Sequence, residues 1–102
     1  MLNMTSNIAL SGMSAAQTRM DVSAHNIANL QTEGFVRQEV TQREQPGSTG
    51  TIASVNRNAN GEGADVTSEL IYQLKAKNDF MANAFVLKIG LSTLGSLLDI
   101  KA

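Results

Sequence analysis

His25 is the only imidazole in the chain, and there is no cysteine. A metal site built from nitrogen and thiolate ligands therefore lacks the second donor it needs, and His25 reads as a hydrogen-bonding residue on a helix surface. Asn56-x-Asn58-x-Asn60-Gly61 imitates the opening of a calcium loop. Its first ligand is neutral, however, and its twelfth position is Thr67 where a bidentate Glu is required. Gly61-Glu62-Gly63 has no preceding strand and no following Lys-Ser/Thr, so it does not form a phosphate cradle. No serine has a histidine and an acid to activate it. The expectation is a protein without catalytic residues, metal or cofactor.

The residues with the clearest work are amides. In Asp21 to Arg37 the chain reads Asp-Val-Ser-Ala-His-Asn-Ile-Ala-Asn-Leu-Gln-Thr-Glu-Gly-Phe-Val-Arg. Ile27 and Leu30 continue an apolar stripe, and Asn26 and Asn29 place carboxamides where the helix stops. Gly34 can take the positive φ that turns the chain, after which Phe35-Val36 starts an extended segment.

With 102 residues there is room for one small core at most. A formal net charge of −1 offers no basic surface for nucleic acid. Met1 to Ser6 has neither a basic region nor a continuous apolar run, so no cleaved signal peptide is expected there. Phe80 to Leu98 is about as long as a membrane span. Lys88 near its centre would cost roughly 2.5–3.5 kcal/mol on insertion, and Asn83, Ser92, Thr93 and Ser96 add to that cost. The run reads as a buried helix and not as a membrane span.

Stepping along the chain, a first helix is expected from about Asn3 to Leu30. Ala9, Met13, Ala16, Met20, Ile27 and Leu30 follow alternating steps of four and three, with Ser23 filling the gap. Met1, Ile8, Ala15 and Val22 run beside them at sevens. The opposite face carries only Arg19 and Asp21 as fixed charges, and is otherwise Ser, Thr, Asn and Gln, which suits close packing against neighbouring chains. Residues 31–64 form a connector. Gln45-Pro46-Gly47 suits a type II turn, and Phe35–Thr41 and Thr51–Asn56 can pair as a short hairpin. Asp65 is positioned to cap a second helix, from Val66 to about Ile100. Val66, Leu70, Phe80, Ala84, Leu87, Leu91, Leu94 and Leu98 fit one heptad seam, interrupted at Gln73 and Lys77. Ile71, Leu74, Met81 and Phe85 widen the apolar surface, so this helix should be enclosed.

The N-terminal pattern resembles the signature of the bacterial flagellar rod, hook and hook-associated proteins, the axial proteins of the basal body. It stands here as Ser11-Gly12-Met13-Ser14-Ala15-Ala16-Gln17, Met20-Asp21-Val22, His25-Asn26-Ile27-Ala28-Asn29 and Thr32-Glu33-Gly34-Phe35. His25 replaces the usual first Asn, and Val36 stands where Lys or Arg is common. Thr67-Ser68-Glu69 and Ala76-Lys77-Asn78-Asp79-Phe80-Met81-Ala82-Asn83-Ala84, with Leu94-Gly95-Ser96-Leu97-Leu98-Asp99-Ile100, resemble the C-terminal signature of the same proteins. Lys77 departs from the common Gln, and the connector is shorter than in the small rod proteins.

These readings give a mainly α fold. Two long terminal helices, in spans 1–30 and 65–102, form an antiparallel coiled-coil-like hairpin joined by a connector with turns and a short β-hairpin. Two helices cannot cover each other's flanks, so the surplus apolar surface calls for neighbours. The resemblance implies what they are: itself and other rod and hook axial proteins, in a homo- or hetero-oligomer. It also implies passage through the flagellar export apparatus and a place in the periplasmic part of the basal body, where the chain serves motility as a self-assembling subunit. Gly12, Met13, Ala16, Met20, Asn26, Ile27, Asn29, Gly34, Phe35, Phe80, Asn83, Ala84, Leu87, Leu91, Leu94 and Leu98 are the signature and packing residues it implies. The alternative is a soluble helical adaptor or export-associated binding module. An amphipathic membrane binder would need Lys and Arg along a polar face, which this chain lacks.

Overall fold

The order of elements is helix, strand, strand, helix: α1 (Leu2–Ala28), β1 (Gln38–Glu44), β2 (Thr51–Arg57) and α2 (Val66–Lys101). They are seen in a computed structural model that describes residues 2–47 and 49–101. Met1, which opens the series at sevens, lies outside it with Ser48 and Ala102.

Local chemistry sets each boundary. The Asn29 carboxamide donates to the His25 carbonyl at 2.9 Å, and Leu30 N bonds Ile27 O at 3.2 Å. The helix therefore gives way to a turn after Ala28, short of Leu30. Phe35 N then bonds Thr32 O at 3.1 Å, which keeps Phe35 in that turn and delays the strand to Gln38. The expected hairpin thus forms three residues later on its first strand and extends to Arg57 on its second. Its strands are antiparallel, with Gln38 opposite Arg57 and Glu44 opposite Thr51. Gly47 has φ 83°, as the Pro-Gly turn requires. Asp65 caps α2 by accepting from Ser68 N at 3.1 Å and from Ser68 Oγ at 2.9 Å.

The two helices run antiparallel. Ser23 meets Glu69, Gly12 meets Asn83, and Ser6 lies over Gly90. On α2 the residues turned inward are Glu69, Gln73, Ala76, Phe80, Asn83, Leu87 and Gly90, again in steps of four and three. This seam is one residue away from the expected one along half its length. Ala76, Asn83 and Gly90 face α1, while Leu70, Leu91 and Leu94 are exposed beside it. The reason lies on α1, where Ala9, Gly12, Ala16 and Ser23 form a shallow surface that admits small partners. Leucines would hold the helices further apart.

The hairpin packs on α1. Arg19 Nε donates to Gln42 Oε1 at 3.1 Å, and Ser11 Oγ accepts from Thr51 N at 3.1 Å. Gly50 is buried there with φ 123°, and a Cβ on it would collide with the Ser11 side chain, so no other residue suits the position. The result is a plate of 63 × 26 × 14 Å. Eleven described residues of α2 follow Gly90, while only four of α1 precede Ser6. At 1.5 Å per residue the end of α2 overhangs by about 10 Å.

Candidate functional site

Where α1 ends, β1 begins and α2 starts, the chain buries polar groups in place of apolar ones. Among the described residues, the largest side chains wholly removed from solvent are Glu69, Asn26 and Ser23. Glu69 is only 1% exposed, yet each of its oxygens is engaged. Oε1 accepts from Asn26 Nδ2 at 2.9 Å and from Arg37 Nε and Nη2 at 3.2 and 3.0 Å. Oε2 accepts from Ser23 Oγ at 3.2 Å, a hydroxyl that also lies 2.6 Å from the Glu69 carbonyl oxygen. Arg37 continues the network to Glu39 at 2.8 Å and lies over the Tyr72 ring, 5.4 Å from its centroid. Glu39 in turn accepts from Asn58 Nδ2 at 2.6 Å.

Asn26 has a second task. Its Oδ1 accepts from Gln38 N at 2.8 Å, and its Nδ2 donates to Gln38 O at 2.9 Å. One carboxamide thus holds both backbone groups of the first strand residue. No buried side-chain nitrogen or oxygen among the described residues is left without a partner. Such a network can fix one geometry, because any displacement strands a charge or an amide in a dry place. It joins α1, β1 and α2 at one point.

The sixteen residues expected from the sequence divide into three groups. Gly12, Ala16, Asn26, Phe80, Asn83 and Leu87 lie in the seam or the polar network. Met13, Met20, Ile27, Asn29, Phe35 and Ala84 are half-buried at its borders, Phe35 meeting His25 edge-on at 5.6 Å. Gly34 is exposed with φ 74°, and Leu91, Leu94 and Leu98 are exposed at the C-terminal end of α2.

The expectation that α2 is enclosed is corrected by this arrangement. Phe85 is 63% exposed and Leu98 61%, and every residue from Leu91 to Asp99 is open to solvent. A single partner helix covers one side only, and the hairpin packs on α1. By length and composition Val66–Asp99 could cross a membrane, and only 6% of its apolar window is buried.

Sequence reasoning missed Ser23, Arg37 and Glu69 as functional residues. Ser23 carried a signal, since a hydroxyl within an apolar stripe needs a buried acceptor. Glu69 stands in the stretch that resembles the C-terminal signature, but nothing there signals its burial: in the first turn of a helix an acid ordinarily serves the helix dipole from the surface. His25 is exposed and contacts Asn29, and the described residues contain no group of three His, Cys, Asp or Glu able to hold a metal. Asn58 organises its own turn, its Oδ1 accepting from Asn60 N at 2.9 Å and from Glu62 N at 3.3 Å.

Comparison with protein families matches residues 7–35 to the family described as "Flagella basal body rod protein". The match runs from the α1 seam through Asn26 and Asn29 to Phe35, so the likeness of this stretch to the flagellar rod proteins stands. The segments of α2 that resemble the C-terminal signature lie outside it. No curated protein matches the chain.

Proposed function

We propose that this chain, which carries the rod-family segment at residues 7–35, is a structural subunit of the flagellar basal-body rod. It assembles through α1 and α2 with copies of itself and with other axial proteins. The observation that carries this reading is the bare apolar surface of α2 between Met81 and Leu98. Monomeric proteins rarely leave so continuous an apolar surface open, and such surfaces mark contacts with partners. Lys88, near the middle of the stretch, favours protein neighbours over a bilayer.

In this role the polar network and the apolar surface divide the labour. Ser23, Asn26, Arg37 and Glu69 hold the hairpin at a fixed angle to both helices. Leu91, Leu94 and Leu98, exposed at the C-terminal end of α2, enter the next subunit. Passage through the flagellar export apparatus fits a chain whose helices have so small a core of their own, the buried apolar residues being Ala9, Ala15, Ala16, Val22 and Ala76 among those described.

The test is incorporation. Leu91→Asp together with Leu94→Asp places two carboxylates in the proposed contact, where an unpaired buried charge costs several kcal/mol. Purified basal bodies should contain the wild-type chain and lack the variant, and cells carrying only the variant should not swim. Normal swimming at ordinary expression would overturn the proposal.

A further inference from the structure

The hairpin has an unused edge. Asn58 N bonds Arg37 O at 2.9 Å and Gln45 N bonds Gly50 O at 2.8 Å, so the odd-numbered residues of β1 bond inward to β2. The backbone groups of Gln38, Val40, Gln42 and Glu44 consequently point outward. At Gln38 both are taken by the Asn26 carboxamide, which occupies the place of a residue on a third strand. At Val40, Gln42 and Glu44 the outward N–H and C=O groups have no partner among the described residues.

As far as Gln42 this edge borders a groove of about 640 Å³, within the roughly 300–1,000 Å³ of ordinary ligand sites, and Glu44 continues it past the mouth. Arg19 and Val22 of α1 form its floor, and Ile71, Lys75 and Asp79 of α2 its far wall. We propose that the groove takes an extended peptide segment of another polypeptide, paired to β1 from Val40 to Glu44 as a third strand. The occupant's chemistry follows from three features. Unpaired backbone groups at every second residue are matched by extended backbone. Because α2 closes the far side, one strand fits where a second hairpin does not. Arg19 and Lys75 have no ion pair among the described residues, against Asp79 as the one lining carboxylate outside the Arg37 network, so the segment carries an acidic side chain past them.

A display library of short linear peptides, panned against the full chain, supplies the probe. Enriched peptides should contain Asp or Glu, and their binding should slow amide exchange at Val40, Gln42 and Glu44. Gln42→Pro removes the outward N–H, which an edge strand tolerates, together with the side-chain bonds to Arg19 and Thr51. Gln42→Ala, which loses the same side-chain bonds and keeps the N–H, is the reference and should bind about tenfold more tightly than the proline variant, the worth of one hydrogen bond. Unchanged Thr41 and Arg43 amides show that the proline variant keeps its hairpin, and the wild-type exchange result stands without that variant. The proposal is overturned by a library that enriches nothing, by peptides that protect the α2 face and leave β1 unchanged, or by equal binding to Gln42→Ala and to an intact Gln42→Pro hairpin.

Discussion

The Asn83 side chain lies on Gly12: a Cβ added to Gly12 would stand 2.6 Å from Asn83 Oδ1 and 2.7 Å from its Nδ2. The absence of a side chain at Gly12 is thus matched to a particular amide on α2, itself held by its bond to the Asp79 carbonyl at 2.9 Å. The two residues come from opposite ends of the sequence, and their contact fixes the register of one helix against the other.

Gly12→Ala should therefore destabilise the fold by about 1–3 kcal/mol, the usual cost of overpacking. Asn83→Ala in the same chain should recover much of that loss. Gly95→Ala, where nothing lies within 4 Å, should instead stabilise by up to about 1 kcal/mol through helix propensity. Urea unfolding of the four variants checks all of this. Additive effects of Gly12→Ala and Asn83→Ala would show that the contact does not set the register.

The Arg37–Glu69 pair invites a double-mutant cycle. Arg37→Ala leaves a carboxylate buried with only Asn26 and Ser23, and Glu69→Ala takes an acceptor from the guanidinium, from the Asn26 amide and from the Ser23 hydroxyl. Either single change should cost about 3–5 kcal/mol, and replacing both residues by Met should cost less than either. Because Glu69 is 1% exposed, the coupling should survive added salt that screens surface pairs. A coupling that vanishes in salt would place the pair at the surface.

How much of this was readable beforehand depends on the kind of contact. Element order, the Asp65 cap and the Pro46-Gly47 turn were legible because each rests on local backbone chemistry. Leucine spacing alone points to the wrong α2 seam. Leu70, Leu91 and Leu94 satisfy a heptad, but Gly12, Ala16 and Ser23 across the interface admit Ala76, Asn83 and Gly90 instead. That choice depends on the shape of the partner helix, which periodicity within α2 does not contain. Glu69 was hidden for a related reason. Its burial depends on Arg37 arriving from a connector whose path the sequence left open.

Asn26 and Asn29, both expected as site residues, should prove unequal. Asn26→Ala removes two bonds to the Gln38 backbone and one to Glu69, leaving buried groups unsatisfied. At about 1–3 kcal/mol for each such group, it should be among the most damaging single changes. Asn29→Ala loses a half-exposed bond to the His25 carbonyl, worth about 0.5–1.5 kcal/mol. His25→Asn, at an exposed position, should stay within about 0.5 kcal/mol of wild type. Thermal melts give the order directly, and an Asn29 effect larger than that of Asn26 would contradict the assigned roles.

The final prediction concerns how order is distributed along the plate. At one end Ser23, Asn26, Arg37 and Glu69 tie α1, β1 and α2 together through buried, fully partnered groups. At the other, every residue of α2 from Leu91 to Asp99 is exposed. Local opening is easiest where few buried contacts resist it, and an isolated helical end is marginal in water. Hydrogen exchange on dilute protein, shown to be monomeric by light scattering, should therefore follow a gradient. Amides from Val22 to Ile27 and from Glu69 to Ala76 should be the most protected, and those from Leu91 to Asp99 the least. Assembly into the proposed rod should raise protection most at the least protected end, because that is where neighbours replace solvent. Uniform protection in the monomer would mean that this exposed end is stable alone, and would remove the physical reason for assigning it to a neighbouring subunit.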